Sequence, residues 1–342
     1  MFNPKYTITN KLLANIKRIS EIISELNHRN FSRVVLLDME RRAREISAYS
    51  STSIEGNPLP LTDVKRILKN NPENLRDSEK EVLNYNKALI ELDTLIKTDK
   101  EIFNTNLILK IQQTITTGLI EKYRCGKIRQ EAVFVNNPKT RQTVYLPPDH
   151  EDVNQLLEEL FFYLDKNKNT ADPLILAGIF HKQFVVIHPF VDGNGRTTRL
   201  ATKVLLAKMG LNTFNLFSFE NYYNQNISRY FQEVGVLGNY YEIKDEIDFT
   251  SWLEYFSDGI IDELLRVFKE LEKEKISPDS ELKEQHLKII AYIKKKGYIT
   301  DRDYAVLTKR AKPTRNLDFR KLITNGIIEK IGKGKATYYK LK

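Results

Sequence analysis

Between positions 12 and 26, Leu12, Leu13, Ile16, Ile19, Ile22, Ile23 and Leu26 recur at three- and four-residue steps, the period of one face of an α-helix. The period returns over 82–95, 102–115, 156–164 and 252–271, so most of the first 280 residues read as helical. Asn57-Pro58, Pro60 and Asn71-Pro72 punctuate these helices. The run from Leu174 to Ile187 is apolar nearly throughout and predicts a buried helix. One segment differs in kind: β-branched and aromatic residues flank Asn137-Pro138-Lys139 within 132–146, which predicts a β-hairpin stopped by Pro147-Pro148. No internal repeat and no low-complexity tract is visible.

The apolar period lapses at the Ser277-Pro278 break and restarts at Leu282, which places a domain boundary near 278. Beyond it the pattern predicts a helix over 282–296 ending at Gly297, a short helix over 301–307 capped by Thr300, and a third from Lys312 to Asn325 with Leu317, Leu322 and Ile323 inward. Two strands, 327–331 and 336–341, then flank a Gly-Lys-Gly-Lys turn.

Length and composition change this picture little: 342 residues, 41% apolar and 29% charged, describe a soluble globular chain of two or three units. The single cysteine, Cys125, excludes an internal disulfide and a thiolate metal cluster, as expected of a cytoplasmic protein. No stretch is long and pure enough for a membrane span, and the first residues carry no secretory pattern. Charge changes more. Residues 281–342 hold 17 Lys and Arg against 6 Asp and Glu, so the tail carries +11 and the rest −2 of the overall +9. The tail is where a phosphate-bearing or acidic partner would be met.

The densest chemistry is His188-Pro-Phe-Val-Asp-Gly-Asn-Gly-Arg-Thr-Thr-Arg199. A Gly-Asn-Gly before arginines is ordinarily a turn and helix cap. Here it lies in twelve residues that also supply a group able to take a proton near neutrality, His188, and a hard oxygen ligand, Asp192. Gly193 and Gly195 let backbone N–H groups converge on an anion at a helix N-terminus. Arg196 and Arg199, three apart, can reach the same anion. His181 on the apolar run is expected to be a core residue.

This segment resembles the defining motif of the Fic (filamentation induced by cAMP) family, His-x-Phe-x-Asp/Glu-Gly-Asn-Gly-Arg-x-x-Arg, with every specified position met. The resemblance implies a mainly α fold: a helical core with a small β-hairpin flap that positions the target. It divides the chain into an N-terminal helical region (1–110), a catalytic core (111–278, flap 128–148, active-site loop 188–199) and a tail (279–342). The implied activity is protein adenylylation, transfer of AMP from ATP to a Ser, Thr or Tyr hydroxyl with release of pyrophosphate. His188 would be the base and Asp192 the Mg2+ ligand. Gly193, Asn194 and Gly195 would stabilise the α-phosphate through backbone amides and the Asn194 side chain. Arg196 and Arg199 would hold the β- and γ-phosphates, with Thr197 and Thr198 in the same nucleotide-binding turn. Tyr222 would line the base, and Tyr230-Phe231 stands where the family often has Tyr-Tyr. A protein target would pair along the 132–146 flap.

Ser51-Thr-Ser-Ile-Glu-Gly56 is similar to the family's Ser/Thr-x-x-x-Glu-Gly/Asn inhibitory motif, which implies that Glu55 occupies Arg199 and excludes the γ-phosphate. Two other functions stay open: a DNA-binding regulator whose core senses nucleotide, and an enzyme that also removes AMP with Glu55 orienting water. The tail, three helices and a wing, resembles the winged-helix domain. In that reading Arg315, Asn316, Arg320, Lys333 and Lys335 would face DNA, while a protein partner remains the alternative. The sequence leaves the oligomeric state open.

Overall fold

The computed structural model describes all residues except 29–30, 32, 99–102, 137–139, 208–217 and 274–281. The chain forms two compact units, 1–28 with 43–268, and 29–42 with 269–342. The expected division at 110/111 is not a unit boundary, and the expected boundary at 278 lies outside the described residues.

The larger unit is built from helices α1 (Asn10–His28), the C-terminal part of α2 (Arg33–Ile54), α3 (Leu61–Asn70), α4 (Asp77–Thr98), α5 (Thr105–Thr116), α6 (Val153–Asn167), α7 (Pro173–Ile187), α8 (Asn194–Ala207), α9 (Phe219–Gln225), α10 (Ile227–Val234), α11 (Tyr240–Ile243) and most of α12 (Thr250–Lys273). The mainly helical fold expected from the periodicity is borne out. α2 falls outside the periodic segments because Ser47, Ser50, Ser51 and Thr52 are buried beside Ala43, Ala48 and Ile54, which interrupts the apolar period.

α7 is the central element. Asp172 caps it by accepting from the Leu174 N–H at 2.8 Å, and Pro173 sits at the first helical position, where its missing N–H costs nothing. Apart from Pro173 and Val185 its apolar residues are buried, on every side, as a helix hydrophobic all round requires. At Gly178 an added Cβ would stand 2.5 Å from Leu253 Cδ2. The bare backbone there lets α12 approach and lets Trp252 Nε1 donate to the Gly178 carbonyl at 2.8 Å.

The hairpin is present and shorter than expected, β1 (Val135–Asn136) antiparallel to β2 (Thr143–Leu146), with its tip outside the described residues. A strand that the sequence did not announce, β3 (Gly238–Asn239), pairs parallel to β2. β2 is therefore the middle strand, and Tyr145 OH anchors it to the Val186 carbonyl on α7 at 2.8 Å.

In the second unit α13 (Glu284–Lys296), α14 (Asp301–Leu307) and α15 (Lys312–Thr324) precede the antiparallel strands β4 (Ile328–Ile331) and β5 (Tyr338–Leu341). Ile289, Ile293, Tyr304, Phe319, Leu322 and Tyr339 share its core, with Phe319 and Tyr339 stacked at 4.0 Å. The expected inward face of α15 needs correction. Leu317 is 60% exposed and Ile323 37%, while Asp318 is buried. Asp318 takes the inward position because it accepts from Tyr304 OH at 2.8 Å and pairs with Arg310 Nε at 3.0 Å and His286 Nε2 at 3.3 Å.

Candidate active site

The loop 188–193 leaves the C-terminus of α7 and enters α8. His188 turns the chain in the left-handed region (φ 52°, ψ 58°), and Gly193 does so again at φ 84°, where a side chain would be strained. The loop is clasped by Asn194: its Oδ1 accepts from the Phe190 N–H at 2.9 Å and its Nδ2 donates to the Phe190 carbonyl at 2.8 Å. Part of the side chain expected to meet phosphate is thus engaged by the loop itself. The amide oxygen and one of its two N–H groups shape the loop, and the first-turn backbone N–H groups of α8 have no helical acceptor and are open to an anion.

Two residues that no motif announced fix the loop from outside. Arg129 is buried and donates to the His188 carbonyl at 2.8 Å, while its backbone N–H donates to the Pro189 carbonyl at 3.0 Å. Gln112, buried on α5, donates to the Asp192 carbonyl at 3.1 Å. His188 is half-buried, and its Nδ1 meets the Val185 carbonyl at 3.2 Å. An N–H at Nδ1 leaves the Nε2 lone pair free to take a proton. Burial pushes the imidazole down to about 4, so it is neutral at physiological pH.

Asp192 keeps a 45% exposed side chain, whose Oδ1 accepts from the Gly193 N–H at 2.6 Å and from Arg196 Nη2 at 2.9 Å. Arg196 is buried and also pairs through Nη1 with Glu81 on α4 at 2.6 Å. Arg199 is fully buried on the same helix. Its Nε donates to Ser51 Oγ at 2.8 Å, and its Nη2 to the Ser51 carbonyl at 2.9 Å and to Glu55 Oε1 at 2.7 Å. The first and fifth residues of the Ser51–Glu55 motif thus grip one guanidinium. Gly195 makes this possible, since an added Cβ would overlap Glu55 Oε1 and stand 3.0 Å from Arg199 Nη1.

Thr197 and Thr198 are wholly buried, and the Thr198 hydroxyl is spent on the Asn194 carbonyl at 2.7 Å, so that hydroxyl serves the helix rather than a ligand. Tyr222 is half-buried and packs against α12, 5.3 Å from the Tyr255 ring and over Gly259. Tyr230 OH and Thr202 Oγ1 each lie 3.0 Å from a ring nitrogen of His181, which is the core residue expected, and Phe231 is 39% exposed. In the second unit Asn316, Arg320 and Lys333 are exposed, and the Lys335 side chain lies outside the described residues. Arg315 departs from its expected outward role, because it forms a two-pronged pair with Asp301, both contacts 2.8 Å.

Among the described residues no three His, Cys, Asp or Glu side chains converge on a metal position. The lone, half-exposed Asp192 carboxylate does suit a magnesium ion that takes one protein carboxylate and fills its shell with phosphate oxygens and water. No helix of the described residues is long and apolar enough to cross a membrane.

Residues 102–206 match the Fic/DOC family model. Protein adenylyltransferase fic-1 of Caenorhabditis elegans is 28% identical over 200 residues, which cover 57% of this chain and 38% of that protein. Protein adenylyltransferase Fic of Aedes aegypti is 26% identical over 227 residues, 61% of this chain and 43% of that one. The chain thus spans less than half the length of these curated relatives. In fold, a Fic family protein from Desulfovibrio desulfuricans G20 superimposes with a TM-score of 0.63 at 21% identity, over 100% of this chain and 98% of that one. With twelve-residue motif, family match and fold in agreement, the chain carries a Fic/DOC-family domain at residues 102–206.

Proposed function

We propose that this chain is an autoinhibited protein adenylyltransferase, which transfers AMP from ATP to a hydroxyl of a protein target and releases pyrophosphate. The observation that carries the reading is Arg199, a fully buried guanidinium on the helix of the anion site, held by the paired Ser51 and Glu55. A buried cation of this kind needs a counter-charge, and displacing Glu55 offers that place to a γ-phosphate.

In the open site the target hydroxyl gives its proton to His188 Nε2 as its oxygen bonds to the α-phosphorus. The bond from that phosphorus to the bridging oxygen breaks, and pyrophosphate leaves with its electron pair. Backbone amides at the start of α8 stabilise charge on the α-phosphate, while Arg196 and Arg199 fix the leaving group in line. Arriving phosphate charge raises the His188 imidazole from its depressed value and makes it a better base. Magnesium held by Asp192 and phosphate oxygens would add charge neutralisation. Arg129 holds the histidine's backbone in place.

Because β2 is already flanked by β1 and β3, the target strand would pair on a free outer edge, β1 being the nearer in the hairpin. The second unit, read as a winged-helix domain, would meet a phosphate backbone through Asn316, Arg320 and Lys333, in keeping with the tail's charge. A cytoplasmic setting suits both substrates.

ATP labelled at either the α- or the γ-phosphate tests the reaction. Protein should acquire the α-label and not the γ-label, and His188→Ala should abolish the signal while the melting transition persists. Transfer of the γ-label, or labelling unchanged by His188→Ala, would refute the assignment.

A further inference from the structure

Behind the inhibitory glutamate lies a buried polar cluster that the reaction does not use. Glu220 on α9 and Lys203 on α8 are both buried and paired, Oε2 to Nζ, at 3.1 Å. Lys203 also donates to Ser47 Oγ at 3.1 Å, and Ser218 Oγ donates to Glu220 Oε2 at 2.9 Å. Tyr85 OH, fully buried on α4, donates to Glu220 Oε1 at 2.9 Å, with the Ser51 side chain beside it. Ser51 in turn accepts from Arg199 Nε.

These bonds form one directed chain. A guanidinium and an ammonium only donate, and a carboxylate only accepts, so Tyr85 gives its proton to Glu220 and leaves its oxygen toward the Ser51 hydroxyl. Ser47 and Ser51 are four residues apart and share one face of α2. That face is therefore fastened at two points, to Lys203 through Ser47 and to Arg199 and Tyr85 through Ser51. Glu55 sits just beyond the end of α2 with a 30% exposed side chain, a position prone to fray on its own. Buried networks ending on charged groups are worth more than such an end contact, because each broken member leaves its neighbour unsatisfied.

We propose that this network is a latch for the inhibitory segment: Glu220, Tyr85 and Lys203 are positioning residues that keep α2 docked through Ser47 and Ser51 and so hold Glu55 on Arg199. The inference rests on the adenylyltransferase reading above. It makes inhibition adjustable from side chains that touch neither Glu55 nor the nucleotide.

The test places Ser47→Ala and Tyr85→Phe, separately, in the wild-type chain and in Glu55→Gly. In the wild-type background each should lower the KM for ATP in self-labelling by about tenfold, the scale of one hydrogen bond to a charged group. In Glu55→Gly neither should give any gain. Hydrogen–deuterium exchange of the 47–55 amides should speed by a similar factor, with 10–28 unchanged. Unaltered exchange overturns the latch, and so does an equal gain in both backgrounds, which would mean an effect on the transfer step. Ser47→Ala leaves the Lys203–Glu220 pair intact and decides the question should Tyr85→Phe fail to fold. If Glu55→Gly labels nothing, the adenylyltransferase reading fails, and the exchange data still judge the latch.

Discussion

Glu55→Gly separates the stability role of the Arg199–Glu55 pair from its blocking role. The substitution removes one charge-assisted bond of 2.7 Å from a guanidinium that is fully buried, while both Ser51 bonds remain. Breaking a wholly buried pair costs about 3–5 kcal/mol, and a hydrogen bond to a charged group about 1.5–3 kcal/mol. The 30% exposure of Glu55 and the surviving Ser51 contacts place the loss at about 2 kcal/mol, a fall in Tm of about 4–8 °C for a unit of this size. The same vacancy admits a γ-phosphate, so saturating ATP with magnesium should restore the lost stability, since ligand at a hundred times its Kd adds about 2.7 kcal/mol. Scanning fluorimetry with and without ATP, run beside α-label transfer, reads both effects. A variant that melts like wild type, gains no more from ATP than wild type and labels no faster would refute the blocking role.

Three further outcomes follow from the geometry. Gly195→Ala forces a methyl onto Glu55 Oε1, so its Tm penalty should shrink in the Glu55→Gly background; equal penalties in the two backgrounds would disprove the steric account. Burial holds the imidazoles of His181 and His188 below their ordinary value, so the unfolded chain takes up protons first. Stability is then complete above about pH 6.5 and falls as pH drops toward 4, with a shallower Tm slope in His188→Ala; parallel slopes would rule this out. Arg129→Met removes the donor to the His188 carbonyl, and should lower kcat for AMP transfer at least tenfold with little change in KM for ATP; a change in KM alone would show that Arg129 does not set the base.

The sequence made the linear features legible. Helical periods located α1, α4, α5, α6, α7 and α12, and Thr300 marked the start of α14, because each depends on neighbours three or four residues away. His188, Asp192 and the two arginines were readable because one twelve-residue stretch carries all of them. The Ser51–Glu55 motif was readable for the same reason. The apolar period missed α2 because serine and threonine interrupt its buried positions, and the clasp of Asn194 on the Phe190 backbone was not legible because the fold of the loop sets it.

What the tertiary structure alone decided is which partner each charge meets. Arg196 turns to Glu81, Arg315 to Asp301 and Lys203 to Glu220, pairs that no local motif announced. Composition supplies charges and periodicity supplies faces. A buried charge must be neutralised by whatever the packing of other helices brings within about 3 Å, and that depends on how elements far apart in sequence come together.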